Sequence, residues 1–401
     1  MGLTSELRML DRHQWATVTA SLLGWTLDAF DFFLMVFMLK AIAVEFGTDV
    51  KSVALGVTLT LAARPFGALF FGWLAEKYGR RPILMIDILL FSVFEFASAF
   101  APSLTALIIL RTLFGFAMGG EWGLGASLVM ETVPPKVRGI VSGLLQEGYA
   151  AGFLLASIAY YFLFDSIGWR GMFMVGLAPA LLVILIRLGV RESPVFERRR
   201  HEARPNPFAE LARHWKTALY IILLMTAFTF FSHGTQDLYP TFLQSAHQFD
   251  THTTGIIVAI MNVGAITGGI FFGAVSEHIG RRKAIIIAAL IALPMIPLWA
   301  FSHTAVMLAI GAFMMQVAVQ GAWGIVPVHL NELSPAAARS MFPGFAYQAG
   351  NFIASINAPL QAGIAEQHGY PFAMALIAGI AALVIAVWAG IGPERKGVAL
   401  D

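Results

Sequence analysis

The chain has 401 residues, of which 58% are hydrophobic and 12% charged, and its formal net charge is +2. Soluble domains carry about 25% charged residues, so this composition excludes an ordinary soluble domain. We interpret the Arg198–Arg200 run as a solvated face and expect no nucleic-acid partner. The absence of cysteine excludes disulfides and thiol-ligated metal.

Twelve apolar stretches follow one another along the chain. Each has 18 to 29 residues, close to the ~20 that a helix needs to cross a bilayer. We number them spans 1 to 12, at residues 15–39, 53–75, 83–101, 104–130, 139–163, 170–190, 216–244, 253–276, 284–301, 304–330, 340–364 and 370–391. Since only helices satisfy every backbone group while crossing lipid in this way, they predict an all-α membrane protein with 12 transmembrane helices.

The chain repeats itself after 201 residues. In one cluster Gly72, Glu76, Gly79, Arg80 and Arg81 match Gly273, Glu277, Gly280, Arg281 and Arg282. In a second, Trp122, Glu131, Pro134 and Arg138 match Trp323, Glu332, Pro335 and Arg339. With the polar stretch after span 6, this 6+6 pseudo-repeat predicts an N-terminal six-helix bundle (1–190), a cytoplasmic linker (191–215) and a C-terminal six-helix bundle (216–401).

The distribution of Lys and Arg predicts the orientation. Of 26 such residues, only Lys40, Lys51 and Arg170 fall in loops on the side opposite the N-terminus. The positive-inside rule therefore places both termini and the linker in the cytoplasm. We expect a multi-pass protein of the plasma membrane, the inner membrane in a bacterium. The polar start at Met1–Arg12 predicts no cleaved signal peptide.

The loops at residues 72–81 and 273–282 carry the pattern G-x-x-x-E-x-x-G-R-R. They resemble the G-x-x-x-D-x-x-G-R-[RK] signature of the major facilitator superfamily, found twice at the expected places. The resemblance implies the superfamily fold and a gating role for the loops. A gating role is assigned to Gly72, Glu76, Gly79, Arg80, Arg81, Glu131, Arg138, Gly273, Glu277, Gly280, Arg281, Arg282, Glu332 and Arg339. Glu stands where the family usually has Asp, and Glu131, Arg138, Glu332 and Arg339 are interpreted as partners of the loops.

Several ionisable residues at membrane depth lack a charged counterpart 201 positions away, and such residues are candidates for function. Arg64 is the best anchor for an anionic substrate, since its planar fork fits a carboxylate; the alternative is a structural ion pair with Asp28 or Asp31. Arg111 is expected to oppose Asp28 or Asp31 in proton coupling, or else to serve packing. Glu121 is either a proton site or an internal hydrogen-bonding group. No role is assigned to Asp87 and Glu95.

Span 7 carries the most specific local motif, Phe230–Thr241. His233 and Asp237 share a helix face, and Pro240 is predicted to break the helix after them. A histidine beside a carboxylate can hold or pass a proton. The motif resembles S-H-x-[ST]-Q-D-x-x-x-T of the fungal lactate/pyruvate permeases, in the sialate:H+ symporter branch. The resemblance implies substrate and proton roles for His233, Gln236 and Asp237; the family's Asn four residues before the histidine is Thr229 here.

These features predict a secondary transporter that moves a small monocarboxylate, lactate or pyruvate, together with a proton. Arg64, His233, Gln236, Gln348, Asn351 and Tyr149 are assigned to the substrate. Asp28, Asp31, Arg111, Glu121 and Asp237 are assigned to the proton. Alternatives are a larger cargo (sialate, a dicarboxylate or an aromatic acid) and, more distantly, a non-transporting acid sensor. No nucleotide loop or metal-ligand spacing appears, so we expect no enzyme and no cofactor besides the coupling proton. The expected partners are the acid and the lipid bilayer, with the protein a monomer.

Overall fold

The computed structural model describes residues 7–177, 189–198 and 206–400. Within these ranges every regular element is a helix and no strand occurs, so the predicted all-α class is confirmed. Residues 178–188 of the predicted span 6, part of the Arg198–Arg200 run and part of the linker lie outside the described residues.

The first half contains long helices joined by short turns. Spans 1 to 5 are formed by Arg12–Glu45, Val50–Tyr78, Arg80–Ser98, Leu104–Thr132 and, for span 5, Arg138–Gln146 followed by Gly148–Val175. The last of these has one non-helical residue, Gly168, with φ 62° and ψ −176°. This positive φ is accessible to glycine at little cost, and the chain turns there from span 5 into span 6.

In the second half, three spans are divided within themselves. The helices of spans 7 to 12 are Trp215–Gln236 with Tyr239–Ala246, Thr251–Ile279, Arg281–Ala300, Ala305–Trp323 with Val326–Leu333, Phe342–Ala354 with Asn357–His368, and Tyr370–Ile391. Short helices Pro194–Arg198 and Pro207–Arg213 lie in the linker, and single 3-10 turns span Pro135–Val137 and Ala336–Ala338. Pro240 occupies the first turn of its helix, so the predicted break is confirmed.

Eight helical segments of the described ranges are long and apolar enough to cross a bilayer. They correspond to spans 2, 4, 5, 7, 8, 9, 10 and 12. Span 1 is a helix of 34 residues that buries Asp28 and Asp31, and span 3 buries Asp87 and Glu95; these charges lower the mean hydropathy. Span 11 is divided at Ser355–Ile356, and span 6 is described only in part.

The repeat is visible in the backbone. Gly79 has φ 110° and ψ 156°, and Gly280, 201 positions later, has φ 98° and ψ 156°. Gly168 and Gly369 are related in the same way, with φ 62° and 85°. The glycines therefore recur where both halves turn sharply from one helix to the next.

The two halves are packed together at the end of the bundle that carries residues 72–81 and 273–282, here named the loop end. There Phe342–Ala354 of span 11 packs against span 2, and Arg138–Gln146 of span 5 packs against span 8. Beyond the break, Asn357–His368 packs mainly against spans 7 and 12 of its own half. The structure is therefore closed at the loop end and more open at the opposite end.

Candidate functional site

The centre of the bundle brings Arg64 of span 2 near the polar face of span 7. The Tyr149 hydroxyl lies within electrostatic range of Arg64 and Asp28 in its own half and of Asp237 in the other. The Arg64 guanidinium contacts Met118 Sδ and lies 5.2 Å from the centre of the Phe32 ring. Among the described residues no carboxylate hydrogen bonds to it, so the structural ion pair with Asp28 or Asp31 is not formed here.

His233 and Asp237 form the expected pair on one helix face. His233 Nδ1 lies 3.1 Å from each Asp237 carboxylate oxygen, and the two side chains are 42% and 38% exposed. Both side chains therefore keep surface that water or a ligand can reach. A histidine–carboxylate pair with such access can exchange a proton with water or with a bound acid.

The Gln236 side chain points towards span 10, where it is hydrogen-bonded, and not into the centre of the bundle. Its Nε2 donates to Gln316 Oε1 at 2.8 Å, and Gln316 Nε2 donates to Thr235 Oγ1 at 3.1 Å. Gln316 is a buried site residue that the sequence reasoning missed. It stands opposite Gly115 in the repeat, so a search for unmatched polar groups that included amides would have found it.

Thr229, the departure from the family pattern, lies inside the site. Its Oγ1 donates to Asn351 Oδ1 at 2.6 Å, and Asn351 Nδ2 lies 3.4 Å from Gln348 Oε1. Gln348 Nε2 is buried without a hydrogen-bond partner among the described residues. The structure thus brings Asn351 and Gln348 together with span 7, and the unpaired amide donor can serve an acceptor atom of a bound molecule.

An aromatic cluster forms one wall of the centre, and its middle residue, Tyr347, was also missed. The Tyr347 ring stacks on Trp122 at 4.2 Å and meets Trp25 and Trp323 edge-on at 6.3 and 5.7 Å. Its hydroxyl lies near the side chains of Asn351 and Gln146. Gln146 and Tyr347 are 201 residues apart, so the two polar residues meet across the pseudo-symmetry axis and neither stands out as unmatched.

Arg111 pairs with a residue to which the sequence analysis assigned no role. Its guanidinium forms a buried ion pair with Glu95 of span 3, so the expected direct partner on span 1 is corrected. Asp31 lies within electrostatic range of both Arg111 and Glu95, yet both of its oxygens lack hydrogen-bond partners among the described residues. Span 3 reaches Arg111 first because it packs directly along span 4.

Asp28 and Glu121 are both buried and lie within electrostatic range of each other. The Asp28 oxygens have no hydrogen-bond partner among the described residues, while Arg64 is the nearby cation. Two acids buried this close at membrane depth are candidates for a functional role.

At the loop end, the two signature arginines bind the acids predicted to be partners of the loops. Arg80 lies 3.2 Å from Glu76 and 3.2 Å from Glu131. In the second half, Arg281 lies 3.0 Å from Glu277 and 3.0 Å from Glu332. Both arginines are buried, so each half carries the same closed network.

The signature acids also connect the halves. Glu76 Oε1 accepts a hydrogen bond from the Ser340 backbone N–H at 2.6 Å, and Glu277 Oε1 accepts one from the Gly139 backbone N–H. The two bonds are related by the offset of 201 residues. Each places a carboxylate at the start of a helical segment, where unpaired N–H groups favour negative charge, and glutamate is long enough to reach it.

Two further acids, Glu192 and Glu394, cap the helices that follow the signature loops. Glu192 accepts from the backbone N–H groups of Arg80 and Arg81, each at 3.1 Å, and Glu394 accepts from that of Arg282 at 3.0 Å. Burial raises the pKa of Glu192, although these backbone donors oppose the shift. Arg138 instead donates to the carbonyl oxygens of Met130 and Val398, each at 2.9 Å.

A sequence-family model described as "Major Facilitator Superfamily" matches residues 21–250. The chain belongs to the major facilitator superfamily. A second model, "Sugar (and other) transporter", matches residues 209–392. Superfamily proteins of this kind are membrane transporters, and this chain is accordingly a membrane-embedded, multi-pass secondary transporter.

Relatives of the chain within the superfamily carry different names. A "Carboxylic acid transporter protein homolog" of Saccharomyces cerevisiae is 28% identical over 90% of the chain, which spans 63% of that protein's length. A "Probable 4-methylmuconolactone transporter" of Cupriavidus pinatubonensis is 29% identical, covering 94% of this chain and 90% of that one. "Sialic acid transporter NanX" of Escherichia coli is 28% identical, covering 82% of each.

Among solved structures, the proton:xylose symporter XylE bound to 6-bromo-6-deoxy-D-glucose superposes with a TM-score of 0.78. The alignment covers 97% of this chain and 98% of XylE at 19% identity. The predicted superfamily fold is therefore confirmed, while the identity is too low to transfer a cargo.

Closure of the loop end depends on glycines in this superfamily member. Spans 5 and 8 meet along a seam between the two halves. A Cβ added to Gly143 of span 5 would lie 2.3 Å from the carbonyl oxygen of Gly269 in span 8, whereas one added to Gly255 would meet nothing within 4 Å. We expect Gly143→Ala to shift the protein towards a conformation open at the loop end, with Gly255→Ala behaving as wild type. Distances between spin labels on the two halves would measure the shift. Equal distance distributions for the two variants would contradict this role of Gly143.

Proposed function

We propose that the protein is a proton-coupled symporter of a small monocarboxylate such as lactate or pyruvate. One observation carries the proposal: Arg64 of the first half and the His233–Asp237 pair of the second lie around Tyr149, at the centre of the bundle. A fixed cation and a titratable pair on opposite halves fit a site that binds an acid and a proton together.

Arg64 would hold the substrate carboxylate. Its charge persists at any physiological pH, and its fork matches two carboxylate oxygens. The remaining substrate oxygens would be oriented by His233, Tyr149 and the Nε2 group of Gln348, which has no partner among the described residues. The adjoining wall of the site would be formed by Asn351 and the Gln236–Gln316 pair. A substrate bridging Arg64 and His233 would join the two halves.

Asp31, Glu95 and Arg111 would form the coupling centre. In this conformation Arg111 is paired with Glu95, and Asp31 is buried without a hydrogen-bond partner among the described residues. Protonation of Glu95 would free the arginine to pair with Asp31, so that one proton selects between two arrangements of buried charge. Asp28, Glu121 and Asp237 would connect this centre to the substrate through Arg64.

Alternating access would exchange the present conformation for one open at the loop end. The positive-inside rule places this end, the linker and both termini in the cytoplasm, and we propose the cell inner membrane as the site of action. In that orientation the central site would be reached from outside the cell. The loop-end network of Glu76, Arg80, Glu277 and Arg281 would then act as the cytoplasmic gate.

A larger or aromatic acid is the second candidate cargo. The observation that favours it is the wall of Trp25, Trp122, Trp323 and Tyr347, because aromatic rings bind flat apolar groups well. The diverse names of the relatives are compatible with either cargo.

The two candidates are separated by uptake into proteoliposomes driven by a pH gradient. We expect labelled lactate to accumulate, to be competed by pyruvate, and to equilibrate once a protonophore is added. Uptake of benzoate, nicotinate or sialate without lactate uptake would overturn the small-monocarboxylate cargo and support the second candidate. Liposomes without protein serve as the control for acid diffusing through the lipid.

A further inference from the structure

Glu147 is a buried carboxyl group that none of the roles above uses. It lies at the kink of span 5, between the helices Arg138–Gln146 and Gly148–Val175. Nine residues separate it from Arg138, so it lies about 13 Å inside the loop end by helical rise. Its Oε1 atom is buried and has no hydrogen-bond partner among the described residues.

This carboxyl lies on the seam between the two halves. Gly139, Gly143 and Glu147 are spaced four apart and share one helix face, and the two glycines contact Gly273 and Gly269 of span 8. A Cβ built on Gly269 would be only 2.0 Å from Glu147 Oε1. A glycine at position 269 therefore leaves the space that the carboxyl occupies when the loop end is closed.

Among the described residues, no charge compensates Glu147 in this position. The helices packed around the first part of span 5 belong to spans 1, 4, 8 and 10. The titratable or charged groups on these helices include Asp28, Asp31, Arg111, Glu121, Glu131, Glu277, His329 and Glu332. None of these lies within electrostatic range of the Glu147 carboxyl. Burying a carboxylate without a compensating charge is costly, so the closed seam accommodates the neutral acid.

We propose that Glu147 is a second proton-binding site, occupied when the loop end is closed and emptied when it opens. Parting spans 5 and 8 exposes the carboxyl to water, where it ionises as an ordinary glutamate. The closed state thus binds one more proton than the open state. Raising the pH must therefore favour opening, and lowering it must favour closure.

The inference depends on the alternating-access part of the proposed function and not on the cargo. It is tested without substrate, on the full chain in lipid nanodiscs. Since the chain has no cysteine, spin labels can be placed at Tyr78→Cys and Ile279→Cys, which are 54% and 37% exposed and lie on opposite halves. Double electron–electron resonance then reports the fraction of molecules closed at the loop end as a function of pH.

We expect the closed-to-open ratio of the parent protein to fall with rising pH, by at most about tenfold per pH unit for one proton. Glu147→Gln cannot ionise, and we expect it to remain closed with this pH dependence removed. Glu45→Gln neutralises a carboxylate of the same half that is 45% exposed and has no part in the proposed site, and it is expected to keep the pH dependence. Glu147→Met, which also cannot ionise, replaces the glutamine variant if the latter does not fold.

A parent protein whose distances do not change with pH would overturn the proposal. The same holds for a glutamine or methionine variant that keeps the parent's pH dependence. Failure of lactate uptake with an intact Glu147-dependent response would reject the proposed cargo alone, so the two failures are distinguishable.

Discussion

Replacing Arg64 with alanine is expected to abolish pH-driven uptake of the monocarboxylate. The guanidinium and the Asp237 carboxylate both lie within electrostatic range of Tyr149, and no carboxylate of the described residues hydrogen bonds to the guanidinium. A hydrogen bond to a charged group contributes about 1.5–3 kcal/mol, which corresponds to a loss of affinity of roughly 10- to 100-fold. Binding of labelled lactate to the purified protein measures the affinity, and proteoliposome uptake measures transport.

Two control variants accompany this measurement. Arg64→Lys keeps the positive charge but loses the planar guanidinium group that can bind two carboxylate oxygens, so we expect intermediate affinity. Arg213→Ala removes an arginine whose side chain is 77% exposed and is expected to bind and transport as the parent does. An Arg64→Ala protein with unchanged affinity would show that the carboxylate is anchored elsewhere.

Replacing Asp31 with asparagine is expected to abolish accumulation against a gradient while leaving exchange intact. Both Asp31 oxygens are buried without hydrogen-bond partners among the described residues, beside the Arg111–Glu95 ion pair. Asparagine offers Arg111 no charged partner when Glu95 is protonated, so transport would no longer be tied to the pH gradient. One coupled proton supports about tenfold accumulation per pH unit, and this ratio should fall to one in the variant.

Counterflow separates a coupling defect from a binding defect. Liposomes loaded with unlabelled lactate should still take up labelled lactate through Asp31→Asn, because exchange needs no net proton movement. Glu45→Gln, at the opposite end and in a 45% exposed side chain, is the control and should accumulate substrate normally. Proton-driven accumulation by Asp31→Asn would exclude Asp31 as the coupling residue.

The order of the spans and the superfamily could be predicted from the sequence because each rests on a local pattern. Pro240 breaks span 7 because it has no N–H group and its ring clashes with the preceding turn. Gly79 and Gly280 allow the chain to turn because glycine adopts a positive φ at little cost. Glu131 and Glu332, interpreted from the repeat as partners of the loops, contact the loop residues Arg80 and Arg281, since related positions in two similar halves have related surroundings.

The site was predictable only in part. His233 and Asp237 lie on one helix, so their pairing follows from spacing alone. Gln316 and Tyr347 were missed because each acts across helices, on Gln236 and on Gln146 respectively. Glu95 was left without a role for the same reason, since its importance arises from Arg111, which lies on another span.

By itself, the sequence determined that this chain is a duplicated helical membrane protein of the major facilitator superfamily, because helix length, hydropathy and loop motifs are properties of consecutive residues. Only the tertiary structure decided which buried charges face one another, which end of the bundle is closed, and that Glu147 lies against Gly269 at the seam. These depend on how whole helices are rotated and packed, and that packing is a balance among contacts between residues distant in the chain.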